Sequence, residues 1–339
     1  MTTLLADTTL VESTLVQIVK TLVIFAFVLA VVPMILLLER KLLGRFQGRY
    51  GPNRVGPYGL MQPLADVVKL ASKEHSTPAT SVPWMMALAP AISTFTAVAT
   101  LAIIPFGDTR RDGLFGADYG LYGIDVPIGL LYAFAFGSLA FYGLMLGGWA
   151  SGSKYSFLGS MRSAAQLISY EVSQGLALLG VVMMAGSISL TEIVEAQDHV
   201  WFILPQIVGF LIFLVAGFAE TARPPFDLPE ADAEIVAGYN TEFGGMRFGA
   251  FFLAEYIHVI VFSGIATAVF LGGWHGPGPP ILDPLWVLLK MFLFVLLFIW
   301  VRATLPRPRY DQLMAFGWKV LLPLATLNVL VTAILVVLL

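Results

Sequence analysis

Cysteine is absent from all 339 residues. That excludes disulfides, thiolate catalysis and thiolate-held iron–sulfur clusters from this chain. Histidine is nearly as scarce. The four present (His75, His199, His258, His275) include no pair at metal-ligand spacing. Charge is thin as well: 12% of residues are Asp, Glu, Lys or Arg, where a soluble domain carries about 25%. With 58% hydrophobic residues and a mean hydropathy of +0.83, the chain cannot cover its own surface with polar groups and must face lipid. The net charge of −3 gives no electrostatic footprint for nucleic acid. Dinucleotide fingerprints, phosphate loops, hydrolase elbows and zinc motifs are all missing. The first cation is Lys20, inside the first apolar run, so a cleaved leader is not expected.

What the chain has in abundance is apolar runs of spanning length. Eight recur, near 13–38, 84–106, 125–149, 164–187, 201–221, 249–273, 284–304 and 318–339. Each reads as helix, because hydrocarbon forbids unsatisfied backbone and a barrel strand would alternate polar and apolar residues. The expected fold is an all-α integral membrane protein with eight transmembrane helices, forming one polytopic domain over residues 1–339. Fifteen Lys and Arg residues fall on loops 1, 3, 5 and 7, whereas loops 2, 4 and 6 hold only Arg110 and Arg111. By the positive-inside bias the odd loops are cytoplasmic and both termini lie outside.

Loop 1 carries more than anchoring charge. From Tyr58 to Glu74, Leu60, Leu64, Val67, Val68 and Ala71 fall on one helical face, with Gln62, Asp66, Lys69 and Lys73 on the other. This predicts an amphipathic helix over 58–74 lying at the cytoplasmic interface, started or kinked by Pro63. It serves either as a surface anchor or as the frame of a sideways opening for a lipid-like substrate.

The stretch from Glu220 to Glu255 sets seven carboxylates (Glu220, Asp227, Glu230, Asp232, Glu234, Glu242, Glu255) against two cations, Arg223 and Arg247. A solvated charge run is the bland alternative. Cytoplasmic loops of membrane proteins favour Lys and Arg, so an acidic loop amid apolar residues points to function. On a helix, Glu230 and Glu234 would stack one turn apart and titrate as a coupled set. Glu171 and Glu255 lie inside apparent spans, Glu255 with His258 at i+3. Each needs a partner, a proton or water there. A helix–helix hydrogen bond is the competing reading. Lys20 and Lys290 are isolated cations within spans that could snorkel.

Four blocks then converge: LLERKLLGRFQGRYGPNRVGPYGLMQPLADVVKLASKE (37–74), GSMRSAAQLISYEV (159–172), AETARPPFDLPEADAEIVAGYNTEF (219–243) and VRATLPRPRYDQLMAFGWKVLLPL (301–324). In content and order they resemble the membrane subunit 1 (H-subunit) family of respiratory complex I, the proton-translocating NADH:quinone oxidoreductase. The resemblance implies a membrane subunit in a bacterial cell membrane or its equivalent, with lipid around it and no redox centre, metal or flavin of its own. Quinone, ubiquinone or menaquinone, would be its substrate. Its partners would be the other membrane subunits and the peripheral-arm subunits that hold the quinone headgroup and the iron–sulfur clusters. By matching position, Glu39, Arg40, Arg45, Arg49, Asp66, Lys69, Glu74, Arg223 and Arg302 would belong to the quinone tunnel and docking region. Glu220, Asp227, Glu230, Asp232, Glu234 and Glu242 would line an acidic loop beside the quinone, and Glu171 and Glu255 would continue it into the membrane as a proton path. Two positions depart from the family pattern: Asp232 stands where a second Glu is usual, and Pro308 replaces a bulky residue. A homologous membrane subunit of an energy-converting hydrogenase or ferredoxin-linked complex is an alternative, as is a stand-alone cation or proton transporter.

Overall fold

The structure is a computed structural model. It describes residues 2–107, 122–229 and 232–338, and of residues 2–17, 20, 232, 233 and 280 the backbone only. Arg110, Arg111 and Glu230 lie outside the described residues. Among those described, the chain is helical with no strand, as hydrocarbon demands.

In chain order the helices are α1 (Thr2–Phe46), α2 (Gln62–Ser72), α3 (Pro83–Leu101), α4 (Gly129–Ala150), α5 (Lys154–Ala185), α6 (Leu190–Glu195), α7 (Ile207–Glu220), α8 (Asp232–Ile235), α9 (Gly245–Phe270), α10 (Asp283–Thr304), α11 (Tyr310–Phe316) and α12 (Leu322–Leu338). A π-helical turn, Gly317–Leu321, joins the last two into one apolar rod. Among the described residues, seven helices are long and apolar enough to cross a bilayer. The eighth expected span, near 201–221, contains only α7, 14 residues long, or about 21 Å of rise. The missing length lies at residues 201–206, which are turn rather than helix. The buried Gln197 fixes them there. Its Oε1 accepts from the N–H of Phe202 and of Gly272, and its Nε2 donates to the carbonyls of Ile193 and Ala268.

Helix ends also differ from expectation. α1 runs on to Phe46, so Glu39 and Arg40 sit on helix rather than loop. Glu39 thereby continues the inward stripe begun by Val28 and Val32, spaced by helical turns. α5 begins ten residues before the expected 164, and its added turns pack under loop 5: Gly159 meets the backbone of Gly238 and Tyr239. Helix α2 is shorter than 58–74, with Leu60 in the preceding turn. Its Gln62, Asp66 and Leu70 side lies toward α1 and α9, leaving Leu64, Val67 and Val68 exposed.

Helix α9 is the axis of the bundle, buried along most of its length and packed through stacked and edge-on aromatics such as Phe213–Phe262 at 4.8 Å. Helices α3, α4 and α5 approach on small residues instead, as membrane helices do where side chains would hold them apart. A Cβ on Gly148 would fall 2.6 Å from the Ser156 carbonyl oxygen and closer still to the Ser160 side chain.

The odd loops gather at one end. Arg162 of the third segment meets Glu234 of the fifth, Arg307 of the seventh meets Asp227, and Arg302 meets Glu39 near the first. The even loops gather at the other end, where Lys290 Nζ donates to the carbonyls of Leu271, Gly273 and His275 at 2.7–2.8 Å and lies over the Trp201 ring. Lys290 does not snorkel; it caps the C-terminal end of α9.

The α4–α5 approach predicts that Gly148→Ala destabilises the chain by about 1–3 kcal/mol. Thermal unfolding in mild detergent should show the loss, and Gly186→Ala, whose Cβ meets nothing within 4 Å, reports the separate cost of a positive φ.

Candidate functional site

The site is assembled at the C-terminal end of α7. Pro224 and Pro225 cannot continue the helix, so the chain turns across the bundle at the level of Glu220. Gln166 of α5 holds the turn, its Nε2 donating to the carbonyls of Ala219 and Phe226 at 2.7 and 2.8 Å. Arg223 is thereby aimed at α9. Its Nη2 lies 3.2 Å from Glu255 Oε2, and its guanidinium stands 4.1 Å over the Tyr256 ring. Tyr239 Oη donates to the other Glu255 oxygen at 2.6 Å. A half-buried carboxylate thus gains an ion pair and a charge-assisted hydrogen bond, the conditions under which such a group is tolerated.

Two openings flank this knot. The larger is a cavity of about 90 Å³ between α4, α5, α7 and α9, with Glu220, Glu255, His258, Gln174 and Ser163 on its walls. At about 10–15 Å³ per water, it has room for on the order of six. Glu220 lies beside Gln174 and in the field of Glu171. Glu171 accepts from Ser138 of α4 at 2.5 Å. The smaller is a cleft of about 20 Å³ between α1, α9 and α10, lined by Glu39, Arg223, Tyr256 and Arg302 among aliphatic and Phe side chains. There Glu39 accepts from Tyr256 Oη and pairs with Arg302.

Asp227 sits outside the spans, 3.0 Å from Arg307. Its other oxygen is buried without a partner among the described residues. Burial pushes its carboxyl up to about 6, against the pull of Arg307, with the nearby Glu255 adding to the rise. Asp66 behaves oppositely. Burial alone would raise it, but hydrogen bonds from Arg40 and Gln62, with the charges of Arg40 and Lys69, together hold it below the usual carboxylate value.

The sequence-predicted residues therefore separate. Glu39, Arg223, Arg302, Asp227, Glu220, Glu255 and Glu171 are brought into one connected region. Arg40, Asp66 and Lys69 form a surface cluster tying α1 to α2. Glu234 is exposed and paired with Arg162 at 2.5 Å. With α8 a single turn, Glu234 takes a place in a surface ion pair. Of Asp232 only the backbone is described. Glu242 is half-buried, while Arg45, Arg49 and Glu74 are exposed on loop 1, Arg45 over the Tyr50 ring and Arg49 bonded to Gln47. Tyr239, Tyr256, Gln174, Ser138 and Arg307 were not singled out by sequence reasoning. Only Tyr256, adjacent to Glu255, and Gln174, one turn from Glu171, carried a positional hint.

Residues 19–333 match the family model described as NADH dehydrogenase. The chain is 52% identical over 318 residues to an H subunit of NADH-quinone oxidoreductase from Geobacter metallireducens, covering 94% of this chain and 95% of that one. It is 53% identical to the corresponding H subunit of Syntrophotalea carbinolica, covering 93% and 94%. The H subunit of Protochlamydia amoebophila is 52% identical over 87% of this chain and 90% of its own length. The chain belongs to the H-subunit family of NADH-quinone oxidoreductase. With its apolar helices, membership makes it an integral membrane protein of a bacterial membrane. No group of three or more His, Cys, Asp or Glu suited to a metal ion occurs among the described residues of this family member.

The Asp227 carboxyl yields a prediction with a definite sign. The folded chain keeps its proton up to about pH 6, while an unfolded Asp releases it near 3.9. The folded state then holds more protons between those values, and stability falls as pH rises through that window. Asp227→Asn should flatten this part of the pH dependence of thermal unfolding. Arg307→Ala, which removes the main opposing charge, should carry the window toward neutral pH.

Proposed function

We propose that this chain is the membrane subunit of a proton-translocating NADH:quinone oxidoreductase, where it gives quinone its lateral access and carries an acidic path that couples quinone reduction to proton movement. Membership of the H-subunit family supports the assembly. The observation that carries the coupling is the continuity of acid groups around one knot. Arg223 joins Glu255 to the cleft shared with Glu39, and Glu255 opens onto the cavity that also holds Glu220.

Quinone enters between α1 and α10, past the exposed apolar face of α2. At about 20 Å³ the cleft is too narrow for a ring, so α1 and α10 part as the Glu39–Arg302 pair opens. The odd loops face the cytoplasm, and the exposed cations and aromatics of loop 1 (Arg45, Arg49, Tyr50, Arg54, Tyr58) meet the peripheral arm, which supplies the electrons. Reduced quinone needs two protons. A new negative charge about 4 Å from a carboxyl, at an effective dielectric near 20, is worth roughly 4 kcal/mol. That is enough to shift the protonation equilibrium about a thousandfold. Proton uptake at Asp227 and Glu255 then draws on Glu220 and Glu171 through cavity water.

Glu220→Gln and Glu171→Gln keep size and hydrogen bonding but remove the exchangeable proton. In native membranes each should slow quinone reduction and proton pumping by at least about tenfold, with NADH oxidation by an artificial acceptor at the peripheral arm preserved. Full quinone reduction and pumping in both variants would defeat the path.

A further inference from the structure

His258 is absorbed by nothing above. It lies on α9 three residues beyond Glu255, so the two side chains share a helix face. Its imidazole lines the large cavity, with Glu255 on the same wall and Glu220 on the wall made by α7. No hydrogen bond or ion pair joins the ring to another described residue. A histidine that only packs normally satisfies a ring nitrogen that is sealed from water, whereas His258 is half-buried and borders the cavity. Here the partners available to the ring are the cavity itself and the carboxylates that share it.

We infer that His258 is a proton-relay residue, the ring through which the cavity passes a proton between Glu255 and Glu220. The proposal rests on the acidic path above. Neutral imidazole accepts at one nitrogen and donates from the other. A proton arriving from the Glu220 side adds to the free nitrogen, and the proton on the second nitrogen leaves through water to Glu255. Charge and protons balance: one enters, one departs, and the ring ends as the other tautomer, which resets by turning about its side-chain axis or by transfer through cavity water. The groups facing the ring around the cavity are Glu255, with Arg223 and Tyr239 bound to it, and Glu220, with Gln174. Thr100 of α3 and Ser163 of α5 add hydroxyls to the walls. None of the neutral groups can both take and release a proton at neutral pH. The histidine can, so it marks the step at which the relay crosses from α7 to α9.

The test uses the assembled complex in native membranes. His258→Gln, which fills the space but cannot relay, should lower quinone-reductase turnover and pumping together by at least about tenfold. In His258→Ala, added imidazole should restore turnover, and the restoration should grow with pH as the free base replaces imidazolium. Electron transfer to an artificial acceptor at the peripheral arm reports assembly; if His258→Gln does not assemble, His258→Asn carries the same comparison. Turnover within about twofold of the unsubstituted complex, beside an impaired Glu220→Gln, overturns the role of His258 and leaves the path standing. Normal turnover in both variants overturns both. A slow variant that imidazole does not restore at any pH makes His258 a packing residue and also ends the proposal.

Discussion

A carboxylate moved from water into a helix bundle loses several kcal/mol of solvation, and only a partner, a proton or enclosed water can offset that loss. The architecture around α7 and α9 is organised by this constraint. Glu255 takes an arginine and a tyrosine, Glu39 an arginine and a tyrosine, Glu171 a serine, and Glu220 a cavity of a size to hold water. The C-terminal end of α7 serves the same need: ending that helix at Glu220 and turning at Pro224 and Pro225 brings Arg223 to α9.

The opposite end of the bundle has another character. Gln197 satisfies four backbone groups, and Lys290 three, with no carboxylate in either knot. Polar groups there are consumed in holding loops 4 and 6 against α9 and α10. The buried acids described above concentrate on the odd-loop half, and small-residue packing of α3, α4 and α5 gives the bundle lateral stiffness.

Much of this was legible in the sequence because lipid reduces fold to one pattern. Apolar runs gave the helices, and the asymmetry of Lys and Arg separated the two ends now seen to gather their loops. The helix of the fifth span, α7, starts later than its apolar run, because Trp201–Gln206 is apolar but held as turn. Hydropathy does not report that the nearby buried Gln197 accepts from the Phe202 N–H. The acids were visible as chemistry out of place. Their partners were not, since Arg307 meeting Asp227 across eighty residues, or Ser138 meeting Glu171, is set by helix packing alone. Glu234 shows the converse: an acid in the right block that folding gives to a surface arginine. The family resemblance supplied roles for whole blocks, whereas geometry divides each block into buried and solvated members.

The central claim is that the carboxyl groups around the Glu255–Glu220 cavity change protonation when electrons reach the quinone. Infrared difference spectroscopy of the assembled complex, reduced against oxidised, reads this directly in the protonated-carboxyl stretching region. A band that appears on quinone reduction, moves in heavy water and vanishes in Glu255→Gln or Glu220→Gln is the result this account predicts. A carboxyl region that does not change with quinone reduction, or changes identically in both variants, would contradict it.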